Sequence, residues 1–195
     1  MLIMPDSTIT DDISAAVRCM RQGGVILYPT DTVWGLGCDS ADSAAVRRIF
    51  EIKHRAEAKA LISLVDSVAM LERFVSDIPD VALELAELST SPVTIVYDRP
   101  VGLAPELLAP DGSAALRLTR ERYSAALCRA LRRPVVSTSA NVSGRPTPAF
   151  FAEIDRHIID AVDYVALYRR DDRQPARSSS VIKIGNDASM KIIRR

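Results

Sequence analysis

The sequence predicts a single layered α/β domain, residues 1–195, with helices packed on a largely buried sheet. Three observations predict it. Segments with helical apolar spacing alternate with short continuous apolar runs, and composition does not break along the chain. The 195 residues are 48% hydrophobic, which suffices for one full core at ordinary domain size. No internal repeat or low-complexity linker divides the chain, and strands without polar alternation are strands covered on both faces.

The elements follow in order. Ile13, Ala16, Val17 and Met20 recur at helical spacing and Gly23-Gly24 closes the run, so a helix is expected near 11–22. Val25 to Tyr28 reads as a buried strand that Pro29 ends, because proline cannot donate to the ladder. The residues after it must loop at the strand's carboxyl end. Val46, Ile49 and Phe50 set a helix over 43–53, delivering Lys53 and Arg55 at or just past its end. Ile62 to Val65 reads as strand. Val68, Leu71 and Val75 mark one helix and Val81, Leu85 and Leu88 another. Strands are expected at Thr94 to Tyr97, Ala115 to Leu118 and Val135 to Thr138, with a helix from Tyr123 to Leu131 before the last. Beyond them the pattern predicts a helix over Ala149 to His157 and strands at Tyr164 to Tyr168, Val181 to Ile184 and Met190 to Ile193. Strand order is not readable from these patterns.

Charge and cysteine content exclude several classes. Lys plus Arg and Asp plus Glu both number 25, so no global field favours non-specific nucleic-acid or membrane binding, and any anion site must be a local cluster. Three cysteines without a CxxC or a nearby histidine fit packing in a reduced cytosol, not a disulfide framework or a zinc site. The N-terminal stretch lacks a basic-then-apolar signal pattern and no apolar run is long enough to span a bilayer, so a cytoplasmic protein is expected. GxGxxG after the first strand and GxxxxGK[ST] are both absent, so a bound nucleotide would need another device.

Three segments concentrate chemistry. Thr30, Asp31 and Thr32 follow the first strand: hydroxyls that donate and accept, with a carboxylate able to receive an ammonium. A local Asx or hydroxyl turn after Pro29 explains them as well. Lys53, Arg55 and Lys59 gather the positive charge that a triphosphate needs, although Glu51 and Glu57 interleave as in a solvated helix end. Ser137, Thr138, Ser139, Asn141 and Ser143 follow an apolar strand, where α/β folds place ligands. No G-x-S-x-G elbow is present and neither histidine pairs with a serine in the sequence, so these hydroxyls read as binders rather than nucleophiles. Arg117 and Arg194 each sit in a strand end, and Arg177-Ser178-Ser179-Ser180 reads equally as a ligand cap or a plain loop.

The runs PTDTVWGLG, KHRAEAKAL, SPVTIVY, ALRLT, STSANVSG and SSSVIKI, in this order over nearly the entire chain, resemble the YrdC-like family of threonylcarbamoyl-AMP synthases. The resemblance implies a twisted mixed sheet flanked by helices, with a concave substrate-binding surface. It implies a nucleotidyltransferase that makes threonylcarbamoyl-AMP and pyrophosphate from L-threonine, bicarbonate and ATP, with Mg²⁺ accompanying the ATP. The product would pass to a separate tRNA threonylcarbamoyl transferase complex, and RNA or tRNA binding is a further implied property. Matched by motif, Thr30, Thr32, Arg117 and Ser179 would take threonine and bicarbonate. Lys53, Arg55, Lys59, Ser139, Asn141 and Arg194 would take ATP, with Lys53 and Arg55 as the catalytic cations and no dedicated metal ligands.

The chain departs from that pattern in four places: Ala56, Thr119 and Ser178 stand where prolines are usual, and Ser91-Pro92 lacks the usual glycine. None removes a charged contact, but each frees backbone that proline would fix. Two alternatives remain. One is an RNA-binding relative without synthase activity, against which zero net charge argues. The other is a carbamoyl-adenylate enzyme of hydrogenase maturation, a class found in longer chains with zinc-finger and acylphosphatase-like parts.

Overall fold

In a computed structural model, which describes residues 6–54, 61–173, 178–187 and 189–194, the alternating pattern resolves into six helices and nine strands. The first helix, α1 (Asp6–Arg21), begins earlier than its clearest periodicity because Ile9 continues the buried stripe of Ala16, Val17 and Met20. Strands β1 (Ile26–Tyr28) and β2 (Gly35–Gly37) pair antiparallel around the Pro29 loop. Helix α2 (Ser43–Ile52) follows, its N-terminus capped by the Asp42 carboxylate accepting from the Ala44 and Ala45 N–H groups. Next come β3 (Ile62–Val65), α3 (Val68–Phe74), α4 (Asp80–Leu88), β4 (Val93–Tyr97), β5 (Ala114–Leu118), α5 (Arg122–Leu131) and β6 (Val135–Ser139). Short elements α6 (Arg156–Ala161) and β7 (Tyr164–Val165) precede the final pair, β8 (Ser180–Ile184) and β9 (Met190–Arg194).

Three expectations change. The stretch from Ala149 to His157 is no continuous helix: a short 3₁₀ turn at Phe151–Glu153 comes first, then the Asp155 carboxylate accepts the His157 N–H and starts α6 afresh. The strand at 164–168 stops after Val165, because the Leu167 and Tyr168 N–H groups donate to the buried Asp12 carboxylate of α1 at 2.9 and 3.0 Å instead of to a ladder. The third change is β2, a Gly-Leu-Gly strand too short for any alternation to show. Its glycines have a packing reason. A Cβ on Gly37 would stand 2.5 Å from the Tyr28 ring and 2.7 Å from the Val136 carbonyl, so only glycine lets Tyr28 lie across the strand.

The sheet is mixed, in the order β7-β1-β2-β6-β3-β5-β4-β8-β9. Its register decides which side chains can meet. Gly35 faces Ser139, Ile62 faces Ser137 and Ala115, and Leu64 faces Arg117. Continuing the β4–β5 register from Ile95↔Leu116 sets Thr94 opposite Arg117, while Val181 lies beside Thr94 on one side and Arg194 on the other. Side chains alternate faces along a strand, so Ser137, Ser139, Ile62, Arg117, Thr94 and Ser179 share one face of the sheet. Leu27, Leu36, Ile95, Leu116 and Val136 fall on the other, and each is at most 1% exposed. Burying these apolar groups supplies the main driving force for the fold.

Candidate active site

The shared polar face holds a cavity of about 130 Å³, and Thr32, Arg117, Ser137, Thr138, Ser139, Ser179 and Arg194 stand in its lining. Residues more than 160 positions apart therefore meet in one small volume.

Thr32 comes from the β1–β2 loop, whose geometry Thr30 fixes. The Thr30 hydroxyl donates to the Val33 carbonyl at 2.8 Å, accepts the Thr32 N–H at 3.0 Å and lies 2.9 Å from the Thr32 hydroxyl. Its carbonyl accepts from Arg169 Nη1 at 3.0 Å. Thr30 thus shapes the turn and borders an adjacent cleft with Trp34, Arg169 and Asp172. Thr32 points to Arg117, whose Nη2 donates to its hydroxyl at 3.3 Å.

Arg117 is the residue that an isolated reading would put on the surface; it is 2% exposed. Its Nη2 lies 2.9 Å from Asp31 Oδ1. The contact is an ion pair without hydrogen-bond geometry, since Asp31 Oδ1 and Arg117 Nε both lack a hydrogen-bond partner among the described residues. Burial dominates both titrations. It raises the Asp31 carboxyl from its ordinary value, against the pull of Arg117. It also lowers Arg117, with Asp31 opposing that shift and the neighbouring Arg194 adding to it. Two guanidinium groups lining one cavity can hold an anion between them, and planar guanidinium suits carboxylate or phosphate.

The far wall comes from β4, β8 and β9. Ser179 is buried, and its hydroxyl lies 2.9 Å from that of Thr94, which is fully buried. Arg194 Nη2 donates to the Ser179 carbonyl at 2.9 Å and its Nε to the same oxygen at 3.2 Å. The last wall is the hydroxyl loop after β6. The Ser139 hydroxyl donates to Asn141 Oδ1, and Asn141 Nδ2 donates to the Arg145 carbonyl at 2.6 Å.

Lys53 caps the C-terminus of α2, as its spacing predicted, but it is 2% exposed rather than solvated. Its ammonium donates to the Ser139 carbonyl and, at 2.7 Å, to the Asn141 carbonyl, while its own carbonyl accepts the Ser143 N–H at 2.9 Å. The lysine therefore fastens the hydroxyl loop from behind. Arg55 and Lys59 lie outside the described residues. His54 and His157 remain exposed but are partners: their Nε2 atoms lie 3.3 Å apart.

Sequence reasoning missed Thr94, Asp31 as the partner of Arg117, and Arg169 behind Thr30. Thr94 and Arg117 did carry a signal, since a polar residue inside an otherwise apolar strand must find a buried partner. Arg169 carried none.

Comparison with known proteins places this arrangement. The model of the Sua5/YciO/YrdC family, described as telomere recombination, matches residues 18–195, and the chain belongs to that family. Among curated relatives, the threonylcarbamoyl-AMP synthase of Cellvibrio japonicus is 36% identical over 165 residues, 84% of this chain and 87% of that one. The enzyme of the same name from Xanthomonas euvesicatoria is 36% identical over 185 residues, 90% of this chain and 99% of its own. Among solved structures, P. abyssi Sua5 complexed with L-threonine superposes with a TM-score of 0.76 at 28% identity, covering 88% of this chain and half of the longer Sua5 chain. E. coli YciO superposes at 0.81 and 25% identity, covering 94% of this chain and 88% of its own.

Proposed function

We propose that this protein is a threonylcarbamoyl-AMP synthase, joining L-threonine, bicarbonate and ATP into threonylcarbamoyl-AMP with release of pyrophosphate, for threonylcarbamoyladenosine modification of tRNA. The observation that carries the reading is the cavity where Arg117 and Arg194 converge with the hydroxyls of Thr32, Ser137, Ser139 and Ser179. Curated relatives sharing over a third of the sequence bear the synthase name, which favours this reading over an RNA-binding relative without activity.

In this reading the threonine carboxylate faces Arg117, with Thr32 and Ser179 bonding the remaining polar atoms. The neutral amine attacks the carbon of bicarbonate; a C–N bond forms, water departs, and a carbamate results. A carbamate oxygen then attacks the α-phosphorus, and the bond to the β-phosphate oxygen breaks in line as pyrophosphate leaves. Catalysis is by positioning and charge, not by a covalent enzyme intermediate. Lys53, from its place against the Ser139 and Asn141 carbonyls, supplies positive charge with Arg55, Lys59 and Arg194. Ser139 and Asn141 orient the phosphates. Among the described residues no three His, Cys, Asp or Glu side chains gather as metal ligands. A magnesium ion carried by the triphosphate would neutralise phosphate charge beside these cations.

Mass spectrometry of the products from ATP, threonine and bicarbonate tests the reading. A threonylcarbamoyl-AMP ion that needs all three substrates is expected. A salt-dependent tRNA shift with no such ion would replace the synthase with an RNA-binding function.

A further inference from the structure

Outside the cavity, the two histidines of the chain meet. His54 follows Lys53 at the end of α2 and adopts φ 49°, the left-handed region that side-chain-bearing residues rarely occupy. His157 lies in α6, and both imidazoles are exposed. Their Nε2 atoms are 3.3 Å apart, their ring centres 5.3 Å apart, and their planes tilted by 53°.

These distances discriminate between two arrangements. A tetrahedral divalent ion held at about 2.0–2.1 Å by two imidazoles separates the nitrogens by roughly 3.3–3.4 Å. With each ring centre roughly 1.2 Å behind its nitrogen, it separates the centres by roughly 5.2 Å. A head-on N–H···N hydrogen bond with the same nitrogen spacing would hold the ring centres roughly 5.6 Å apart. The nitrogen spacing is common to both arrangements, and the ring-centre spacing of 5.3 Å lies nearer the chelating value. The backbone of each residue is anchored as well. The His54 N–H donates to the Glu51 carbonyl at 3.0 Å, and the His157 N–H is fixed by the Asp155 carboxylate at 2.9 Å.

We propose that His54 and His157 form a surface site for a borderline-soft divalent ion such as Zn²⁺, bridging the end of α2 to α6. Imidazole nitrogens suit zinc and its first-row neighbours and are poor partners for magnesium, so the site is distinct from the magnesium that accompanies ATP. No third His, Cys, Asp or Glu joins the pair among the described residues, so water completes the coordination and the ion exchanges freely. The site ties the segment that carries Lys53 to α6, whose N-cap Asp155 already lies 3.7 Å from Arg145 at the end of the hydroxyl loop. This inference does not depend on the synthase reading.

The test is calorimetric titration of the tag-free chain with zinc sulfate, beside His54→Gln and His157→Gln. One zinc per chain is expected, with affinity falling at least tenfold in either variant. Zinc should also raise the melting temperature of the parent and not of the variants, since a ligand stabilises only the state that binds it. Both rings are exposed, so the variants should melt like the parent in a chelator; should His54→Gln fail to fold, His157→Gln carries the comparison alone. An absence of zinc binding, or binding unchanged by both substitutions, would overturn the proposal.

Discussion

The two halves of the cavity are built in different ways. On one side, Thr32, Arg117, Thr94 and Ser179 are all nearly or fully buried and fixed by the sheet itself, through the Asp31–Arg117 ion pair and the Thr94–Ser179 contact. On the other, Ser139 ends β6 and Asn141 lies in the loop after it; both are half-buried, their side chains bond within that segment, and the grip comes from Lys53 on two carbonyls. A wall of buried side chains couples substrate recognition to stability, because removing one partner strands another. A loop held by its backbone leaves its position open to change at little cost to the core. Under the proposed function, the wall assigned to threonine should therefore respond in stability and binding together, and the wall assigned to phosphate chiefly in rate.

Four substitutions separate these behaviours. Arg117→Ala should have the largest effect, costing about 3 kcal/mol of folding stability by stranding the Asp31 carboxylate, together with loss of threonine-dependent turnover. Urea unfolding measures it, and a loss below about 1 kcal/mol would mean that the buried wall is not held by this pair. Lys53→Ala should lower pyrophosphate release by about 100-fold while the protein still folds cooperatively, the scale of losing one strong electrostatic contact. Full activity in that variant would remove Lys53 from the phosphate side. Thr32→Ala should raise the threonine KM about tenfold with kcat little changed, as expected of a lost uniform binding contact, and Thr32→Ser should restore most of it. An unchanged threonine saturation curve would sink that role.

The smallest effect concerns Asp31. Its folded pKa lies above the unfolded value because of burial, so its charge costs stability above the folded pKa. As pH falls through the carboxylate range, from the folded toward the unfolded pKa, that cost disappears. Wild-type stability should therefore rise relative to Asp31→Asn between neutral pH and pH 4. A difference that stays flat across this interval would show that the ion pair fully offsets burial.

Much of the fold was readable from local pattern. The strand Ile62–Val65 and the helices around Val46, Leu85 and Leu127 appear where apolar spacing put them, since a 3.6-residue or continuous apolar run admits one buried arrangement. Misreadings fell where a distant side chain captured backbone donors, as Asp12 does at Leu167 and Tyr168. Of the motif residues, Thr32, Arg117, Ser139, Ser179 and Arg194 share one cavity. The supporting residues Thr94 and Arg169 were not legible as such, because their partners lie 85 and 139 positions away.

The sequence by itself determined the element types and the polar residues that the core would have to accommodate. Burial constrains those choices locally, residue by residue. Only the tertiary structure decided that Lys53 turns inward to carbonyls, that Arg117 is buried against Asp31, and that two solitary histidines meet. Sheet order and register settle such pairings. They depend on the energy of the whole sheet, and no local spacing encodes it.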